Sequence, residues 1–285
     1  MKLLAVIGNP IAHSLSPQIH QMFAEQSGLT VSYEKVESPL DGFGKTVTEL
    51  LERGAIGFNV TVPFKFKAHE LANTLSRHAE QARAVNTIKR ESSGLLSGHN
   101  TDGPGLVRDI TVNLDWSIEG RRVLILGAGG AVSGIVAPIL EQNPECIHIV
   151  NRTHTKAEAL ADQYPARVLA IERQQVAQNY DLVISGSSAG LPAAGDGEAE
   201  MLIPAGVIGH NTLCYDLIYS QKETPFLSRC RDLGARAGAD GLGMLVEQAA
   251  LAFEIWFGKR PDSAPVINKL RSGPVRDRAE NQDEI

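Results

Sequence analysis

Short apolar runs alternate with amphipathic stretches along the first hundred residues. The runs predict strands over residues 3–7, 31–36 and 56–62. Between the first two strands, Ser16 as N-cap, Pro17 in the first turn and Gly28 as the stop predict a helix, and residues 43–53 predict a second one. Strands that alternate with helices predict an α/β fold with a mostly parallel sheet.

The third predicted strand ends in a polar cluster within the segment GFNVTVPFK, residues 57–65. A period of two places three apolar side chains on the buried face: Phe58, Val60 and Val62. Asn59 and Thr61 then lie on the other face, Pro63 stops the strand, and Lys65 follows. An ordinary strand with one polar face and a strand end that binds a ligand both agree with this pattern.

The next segment combines helical and hairpin patterns. Helical periodicity predicts a helix over residues 67–82. A hairpin follows, with its turn near residues 92–94, and a long helix is predicted from residue 104 to residue 114. This helix leads into the second half of the chain.

The second half has the tight alternation of βαβ units. Its predicted strands cover residues 123–126, 147–150, 182–185 and 213–216. Residues 189–197, rich in Ala, Gly and Pro, predict a loop, and residues 243–257 predict a final helix. The polar, aperiodic tail over residues 272–285 predicts disorder.

Composition narrows the class of protein. With 285 residues, 43% of them hydrophobic, the chain has apolar material for one large or two medium domains. The net charge of −6 gives no electrostatic basis for binding nucleic acid or an anionic membrane. Three widely spaced cysteines, Cys146, Cys214 and Cys230, predict neither a disulfide framework nor a metal site and fit a reducing cytoplasm.

An uncharged run over residues 123–140 is long enough to be a weak candidate for a membrane span. The glycine cluster GAGGA at residues 127–131 interrupts it, so a buried strand, a turn and a buried helix explain it better. Such a turn lets backbone N–H groups approach a pyrophosphate at the positive end of the helix. Val132 stands at the third glycine position of the dinucleotide motif, so a tight turn without a ligand is the alternative.

The segment after the next strand bears on the choice of dinucleotide. NAD enzymes usually place a carboxylate there for the ribose 2′-hydroxyl, but this chain has NRTHTK, residues 151–156. Arg152 suits a 2′-phosphate, with which it can form two parallel charge-assisted bonds, and Thr153 and Lys156 add donors. This favours NADP over NAD. A solvated basic turn is the alternative.

Polar residues accumulate near predicted strand ends in the first hundred positions. They are Ser14, Ser16, Asn59, Thr61, Lys65, Asn86, Asn100 and Asp102. In an open α/β sheet, ligands bind beyond the carboxyl ends of the strands. Neutral donors and acceptors of this kind suit a polyhydroxylated substrate, and two serines near a helix start suit a carboxylate. Taken singly, each residue also has a structural interpretation as a cap, a turn former or a surface lysine.

Eight segments occur in order over residues 5–261: VIGNPIAHSLSPQIH, GFNVTVPFK, AVNTI, GHNTDGPG, LILGAGGA, NRTHTK, YDLIYSQKETPF and GADGLGMLVEQAALAFEIW. Together, and with compatible spacing, they resemble the shikimate dehydrogenase family. The resemblance implies a substrate-binding domain over residues 1–102 joined by returning helices over 243–271. It also implies a Rossmann NADP-binding domain over 103–242. The implied activity is the reversible reduction of 3-dehydroshikimate to shikimate with NADPH, on the route to chorismate and aromatic amino acids.

The resemblance also implies roles for individual residues. Substrate would contact Ser14, Ser16, Thr61, Lys65, Asn86, Asp102, Tyr219 and Gln248, with Asn59 behind them. NADP would contact Gly127, Ala128, Gly129, Gly130, Ala131, Asn151, Arg152, Thr153, His154, Thr155, Lys156, Leu217 and Gly241. The chain departs from the family pattern at Gln21, at residues 185–190 and at Gln221, and the second of these affects the detailed cofactor contacts.

Reduction of a ketone by hydride leaves an alkoxide that must receive a proton. The resemblance implies that Lys65 and Asp102 form the catalytic pair. A lysine ammonium can polarise the carbonyl and donate the proton, and Lys65 is the favoured acid and base. Which of the two moves the proton stays open.

Two rival functions also stay open. One is a relative that accepts quinate or uses NAD, and the other is a non-catalytic protein that senses NADP or a metabolite. The expected partner is a small molecule, with a homodimer as the assembly to test.

Overall fold

The computed structural model describes residues 1–176, 180–186, 203–204 and 206–272, which form two six-stranded sheets covered by helices. The loop predicted over residues 189–197 and, apart from Ser272, the tail predicted to be disordered lie outside the described residues. Within those ranges, no helix is both long and apolar enough to span a membrane. The predicted α/β class is confirmed.

The first sheet is mixed. Its strands are β1 (Lys2–Gly8), β2 (Val31–Glu37), β3 (Ala55–Val60), β4 (Thr74–Leu75), β5 (Thr87–Arg90) and β6 (Leu96–His99). They lie in the order β2-β1-β3-β5-β6-β4, and only β5 runs antiparallel to its neighbours. The carboxyl ends of β1, β3 and β6 therefore meet the amino end of β5 at one edge of the sheet.

The second sheet is parallel throughout. Its strands are β7 (Arg122–Leu126), β8 (Cys146–Val150), β9 (Val168–Ala170), β10 (Leu182–Ser185), β11 (Leu213–Asp216) and β12 (Ala237–Asp240). The order β12-β11-β10-β7-β8-β9 is that of a doubly wound Rossmann sheet, with the order reversing beside β7. All six carboxyl ends share one edge, where such sheets bind ligands.

Ten α-helices cover the faces of these sheets in the described part of the chain. They are α1 (Ser16–Ser27), α2 (Phe43–Glu52), α3 (Lys65–Leu71), α4 (Arg77–Ala82), α5 (Asp102–Arg108), α6 (Gly130–Leu140), α7 (His154–Ala161), α8 (Pro225–Asp232), α9 (Leu242–Phe257) and α10 (Ala264–Arg271). A π-helical turn, Asp109–Asn113, continues α5 toward the second sheet. A short 3₁₀ turn covers Arg173–Gln175.

Helices α9 and α10 return to the first sheet, in keeping with the family resemblance. Phe253 on α9 packs against Phe23 on α1 in one buried apolar cluster. At the end of α9, the Trp256 indole Nε1 donates a 2.9 Å hydrogen bond to the Ile88 carbonyl oxygen on β5. The last described helices are thus part of the layer that supports the first sheet.

Strand β3 ends two residues earlier than predicted, and the prediction that Val62 packs inward is wrong. Phe58 and Val60 are buried, but Val62 is 64% exposed. The assigned strand ends at Val60, although the Thr61 N–H still bonds the Ile7 carbonyl oxygen at 2.9 Å and the Val62 carbonyl oxygen accepts the Asn9 N–H at 3.0 Å. Thr61–Phe64 then form a turn, closed by the Phe64 N–H on the Thr61 carbonyl oxygen at 2.9 Å. Val62 lies in this turn at the rim of the sheet, so the period of two no longer decides which way its side chain points.

Three further predictions need correction. Helix α1 begins at Ser16 itself, so Ser16 is not its N-cap, and its N–H bonds Ser14 Oγ at 3.3 Å. The helix predicted over 67–82 is broken into α3 and α4 by strand β4, which pairs with β6. Strands β9 and β12 were not predicted, because runs of three or four residues at a sheet edge carry little periodicity.

Candidate active site

The topology of the first sheet explains why distant polar residues meet. Thr61 and Lys65 follow the carboxyl end of β3, and Asn86 precedes the adjacent start of β5. Asp102 follows the end of β6, which runs parallel to β3 two places along the sheet. One sheet edge therefore carries all four side chains.

Lys65 and Asp102 form an ion pair at this edge. The Lys65 Nζ lies 2.6 Å from Asp102 Oδ2, and the two side chains are only 13% and 9% exposed. Lys65 opens α3 and Asp102 opens α5, so the first turn of each helix sets the position of its charged group. With so little water around it, the pair interacts more strongly than a surface ion pair would.

Asn86 holds the other carboxylate oxygen. Its Nδ2 donates to Asp102 Oδ1 at 2.8 Å and to Thr101 Oγ1 at 2.9 Å. Its Oδ1 accepts the Thr101 backbone N–H at 2.9 Å. Each carboxylate oxygen of Asp102 thus has a donor, which fixes the plane of the group beside Lys65.

Asn59 is buried behind this cluster. Its Nδ2 donates to the Asn86 carbonyl oxygen at 3.1 Å and to Thr87 Oγ1 at 2.9 Å, and its Oδ1 accepts from the Tyr33 hydroxyl at 2.6 Å. With these protein partners, Asn59 supports the residues in front of it.

Ser14, Ser16 and Thr61 line the neighbouring end of β1. Ser14 lies in the turn before α1, and its hydroxyl accepts the Ser16 N–H. Thr61 packs over Gly8, where a Cβ would lie 2.5 Å from the Thr61 methyl carbon. Only glycine at position 8 lets the strand ends come this close.

Gln248 and Tyr219 approach from later in the sequence. Gln248 on α9 accepts a hydrogen bond from Thr101 Oγ1 at 3.3 Å, which places its amide one residue from Asp102. Tyr219, beyond the end of β11, packs against the apolar cluster that includes residues of α1 and α9. The predicted substrate residues therefore come from both halves of the chain.

The glycine turn connects β7 to α6 on the second sheet. Gly127 has φ of 117°, a conformation that favours glycine, and its N–H bonds the Val150 carbonyl oxygen at 2.8 Å. Gly129 precedes α6, and no atom lies within 4 Å of where its Cβ would be. The run from Ala128 to Ala131 thus presents open backbone at a helix N-terminus, which suits a pyrophosphate.

The basic segment follows the adjacent strand β8. Asn151 Nδ2 bonds the Thr153 carbonyl oxygen at 2.8 Å and shapes the turn, after which α7 opens at His154. Arg152 is exposed and forms no ion pair with any described residue. Thr155 and Lys156 in the first turn of α7 are also exposed. The guanidinium of Arg152 is therefore available to an anion at the edge of the second sheet.

Leu217 and Gly241 meet beyond the ends of β11 and β12. A Cβ on Gly241 would lie 2.3 Å from the Leu217 carbonyl oxygen, so this approach requires glycine. The turn after β11 is held by Asp216, whose Oδ2 accepts from Thr224 Oγ1 at 2.6 Å. Burial raises the pKa of Asp216, and the Thr224 hydrogen bond opposes that shift.

The two sheet edges meet beside α6. A Cβ on Gly130 would lie 3.7 Å from the Phe66 ring, next to Lys65 on α3. One helical turn further along α6, a Cβ on Gly134 would lie 3.1 Å from Asn100 Oδ1. The Lys65–Asp102 pair and the glycine turn are therefore neighbours.

Sequence reasoning missed three residues that organise this site: Tyr33, Thr87 and Thr101. Thr87 and Thr101 are buried and bond Asn86, and Tyr33 bonds Asn59. Thr87 and Thr101 each adjoin a predicted site residue, and that adjacency was the available signal. Tyr33 lies on a different strand, and nothing in the sequence connects it to Asn59.

Comparisons with known proteins agree with this architecture. Residues 6–88 match the profile of the shikimate dehydrogenase substrate binding domain. Residues 110–217 match that of shikimate / quinate 5-dehydrogenase, and residues 241–271 that of the shikimate 5'-dehydrogenase C-terminal domain. The three matches follow the order of the two sheets and the returning helices.

Whole-length relatives are similar throughout. A protein named shikimate dehydrogenase (NADP(+)) from Laribacter hongkongensis is 49% identical, over 95% of this chain and 98% of its own length. The Ael1 enzyme from Pseudomonas putida superposes with a TM-score of 0.87 at 42% identity, over 95% of this chain and 98% of that one.

A third relative was solved with ligands. Shikimate 5-dehydrogenase from Thermus thermophilus, in complex with NADP(H) and shikimate, superposes with a TM-score of 0.81 at 34% identity, over 95% of this chain and 99% of that one. With near-complete coverage in both directions, the protein belongs to the shikimate dehydrogenase family.

Proposed function

We propose that this protein catalyses the reversible reduction of 3-dehydroshikimate to shikimate with NADPH, in chorismate and aromatic amino acid biosynthesis. The observation that carries the proposal is the largely buried Lys65–Asp102 ion pair, which lies between the polar strand ends and the glycine turn. The names of the whole-length relatives support both the substrate and the cofactor.

The residues of the second sheet fit NADP. Residues 127–131 would hold the pyrophosphate, because their backbone is open at the start of α6. Arg152, which has no described acidic partner, would hold the 2′-phosphate with help from Thr153 and Lys156. The reduced cofactor supplies a hydride to the substrate carbonyl carbon. Leu217 and Gly241 lie at the same edge of the sheet, where the nicotinamide end would bind.

Lys65 would handle the proton. During reduction, its ammonium polarises the substrate carbonyl and then protonates the alkoxide oxygen, and in the reverse direction the neutral amine accepts that proton. Asp102 holds Nζ in place at 2.6 Å, and Asn86 orients Asp102 through its other oxygen. The positive charge of Lys65 also stabilises the developing negative charge on the oxygen.

The remaining polar side chains would recognise the substrate. Ser14 and Ser16 at the start of α1 suit its carboxylate. Thr61, Asn86 and Gln248 offer neutral groups for its hydroxyls, and Tyr219 approaches from the second half of the chain. Asn59 would act from behind, because its amide is already bonded to protein atoms.

One assay tests this function against the rivals. NADP reduction is followed with shikimate and with quinate, and both are repeated with NAD in place of NADP. We expect shikimate with NADP to have the highest kcat/KM. Comparable rates with quinate would support an enzyme that accepts both substrates. The profile that matches residues 110–217 names both shikimate and quinate. No reduction in any of the four pairs would overturn the proposal and favour a non-catalytic sensor.

The chain would divide into two domains. The substrate domain comprises residues 1–102 with 243–271, and the NADP domain comprises residues 103–242. Limited proteolysis would test this division by cleavage near the junctions.

A cytoplasmic location is supported by Cys146, Cys214 and Cys230, which are all free thiols. A homodimer is the assembly to test by light scattering.

A further inference from the structure

We infer that Tyr33 and Thr87 are positioning residues for Asp102, an inference that rests on the function proposed above. They belong to a directional network of hydrogen bonds, here named the Tyr33–Asp102 network, whose members are Tyr33, Asn59, Thr87, Asn86 and Asp102. It begins on β2, crosses the sheet to the start of β5 and ends on the carboxylate that holds Lys65.

Two backbone groups set the direction of the network. The Thr101 N–H can only donate, so the side-chain atom of Asn86 that faces it at 2.9 Å must be the oxygen. The Asn86 carbonyl can only accept, so the atom of Asn59 that faces it at 3.1 Å must be the nitrogen. The orientation of both side-chain amides therefore follows from the fixed roles of these two backbone groups, one a donor and the other an acceptor.

The remaining protons follow from these two orientations. Asn59 presents its oxygen to Tyr33 at 2.6 Å, so the Tyr33 hydroxyl must donate. Thr87 Oγ1 accepts from Asn59 Nδ2 at 2.9 Å and donates its single proton to Asn86 Oδ1 at 3.0 Å. Asn86 then donates to Asp102 Oδ1 at 2.8 Å. Each bond along the path from Tyr33 to Asp102 therefore donates in the same direction, toward the carboxylate.

The surroundings of Tyr33 keep it a donor. Its ring stacks on His20 with centroids 4.4 Å apart and planes 10° apart. Although Tyr33 as a whole is half-buried, desolvation of its hydroxyl raises its pKa well above the usual 10, and a hydrogen bond with Ser16 only partly opposes this. Burial lowers the pKa of His20 to about 3, so the stacked ring is neutral.

The consequence for the reaction lies at Asp102. Hydrogen bonds aligned head to tail polarise one another, so each donor strengthens the next. The last bond holds Oδ1 and leaves Oδ2 to Lys65, which fixes the direction in which Nζ points. Thr87 is not a predicted substrate contact, so removing its hydroxyl weakens this orientation without removing such a contact. We therefore expect kcat to fall in Thr87→Val while KM for shikimate changes little.

The experiment uses Tyr33→Phe, Thr87→Val and the double variant, with Thr87→Ser to restore the hydroxyl. Because each variant leaves a buried hydrogen bond unmade, we expect Thr87→Val to lower kcat about 10-fold and Tyr33→Phe about 3-fold to 10-fold. Thr87→Ser should lie within about 2-fold of the wild type, since it keeps the donor and acceptor. KM should stay within about 2-fold in the Thr87 variants. Tyr33 also bonds Ser16, so only the kcat of Tyr33→Phe enters the comparison.

The double variant tests the network itself. If both residues act through one path, its kcat should resemble that of Thr87→Val alone, because the path is already cut. Independent structural damage would instead multiply the two losses. Tyr180→Phe is the matched control: it removes a buried hydroxyl that bonds His148 Nδ1 at 2.5 Å in the other sheet, so stability should fall but kcat should not.

The outcomes separate this inference from the proposed function. A wild-type protein that does not reduce NADP with shikimate overturns the proposed function and the inference with it. If the wild type is active, any of three results overturns the inference alone. They are multiplicative losses in the double variant, an unchanged kcat in Thr87→Val, and no rescue by Thr87→Ser. Midpoints of urea unfolding, measured for every variant, show that each kcat belongs to folded protein.

Discussion

Lys65 Nζ and Asp102 Oδ2 lie 2.6 Å apart although the residues are 37 positions apart in the sequence. They come together because β3 and β6 run parallel on either side of β5, so their carboxyl ends share one edge. A helix starts after each strand and presents one of the two groups. The reaction proposed for this protein depends on that geometry.

Replacing Lys65 by alanine removes the proposed acid and base. We expect kcat to fall at least ~100-fold, the lower end for general acid–base groups, with a smaller change in KM. Lys67→Ala is the control, because Lys67 is exposed and its Nζ bonds the Leu40 carbonyl oxygen at 2.6 Å, outside the site. Near-normal turnover of Lys65→Ala in the steady-state assay would contradict the assignment.

Arg152→Ala tests the choice of cofactor. Charge-assisted hydrogen bonds contribute about 1.5–3 kcal/mol, so losing the contacts to a 2′-phosphate should raise KM for NADP about 10-fold or more. KM for NAD, which lacks that phosphate, should not change. Arg167→Ala, which removes another exposed arginine from the same half of the chain, should leave both values unchanged. Equal effects on NADP and NAD would show that Arg152 does not read the 2′-phosphate.

His20→Phe tests the pH dependence of stability. Burial lowers the pKa of His20 from 6.5 to about 3, so the folded protein keeps the ring neutral while the unfolded chain takes up a proton below about pH 6.5. The unfolded state therefore binds more protons between these values, and stability present above pH 6.5 is lost as the pH falls toward 3.

The variant removes this linkage while keeping an aromatic ring beside Tyr33. Between pH 7.5 and pH 5, the wild type should lose about 2 kcal/mol more of its unfolding free energy than His20→Phe does. Urea unfolding at both pH values measures the difference. His13→Gln, at an exposed position, should keep the pH dependence of the wild type. Identical slopes for the wild type and His20→Phe would refute the prediction.

Gly57→Ala tests the contact between α9 and the first sheet. A Cβ at this position on β3 would lie 2.3 Å from Trp256 Nε1 and 2.6 Å from the Ile88 carbonyl oxygen, where those two atoms bond each other. Overpacking of this kind costs about 1–3 kcal/mol, and the midpoint of urea unfolding should fall accordingly.

The matched control for Gly57 is Gly44→Ala on α2. No atom lies within 4 Å of a Cβ there, and the position is exposed. Since alanine favours a helix over glycine, stability should stay the same or rise by up to about 1 kcal/mol. If the two variants lost equal stability, steric conflict at Trp256 would not be the cause.

Local patterns predicted the regular elements well where an element carries a distinct apolar run. The strands predicted over 182–185 and 213–216 match β10 and β11, and the uncharged run over 123–140 forms β7, the glycine turn and α6. The predicted hairpin is present as β5 and β6, which pair antiparallel on either side of residues 92–94. Predictions failed where pairing with a distant strand decides the structure, as at β4 and at Val62.

Local patterns were enough to predict the alternating α/β order, the glycine turn and the basic segment after β8, and family resemblance identified the paired residues. Packing between elements, in contrast, encloses Asn59, connects Tyr33 to Asp102 through buried amides and brings Phe66 beside the glycine turn. Periodicity reports which face of an element is buried, but hydrogen bonds between elements depend on strand order and register, which no local pattern encodes.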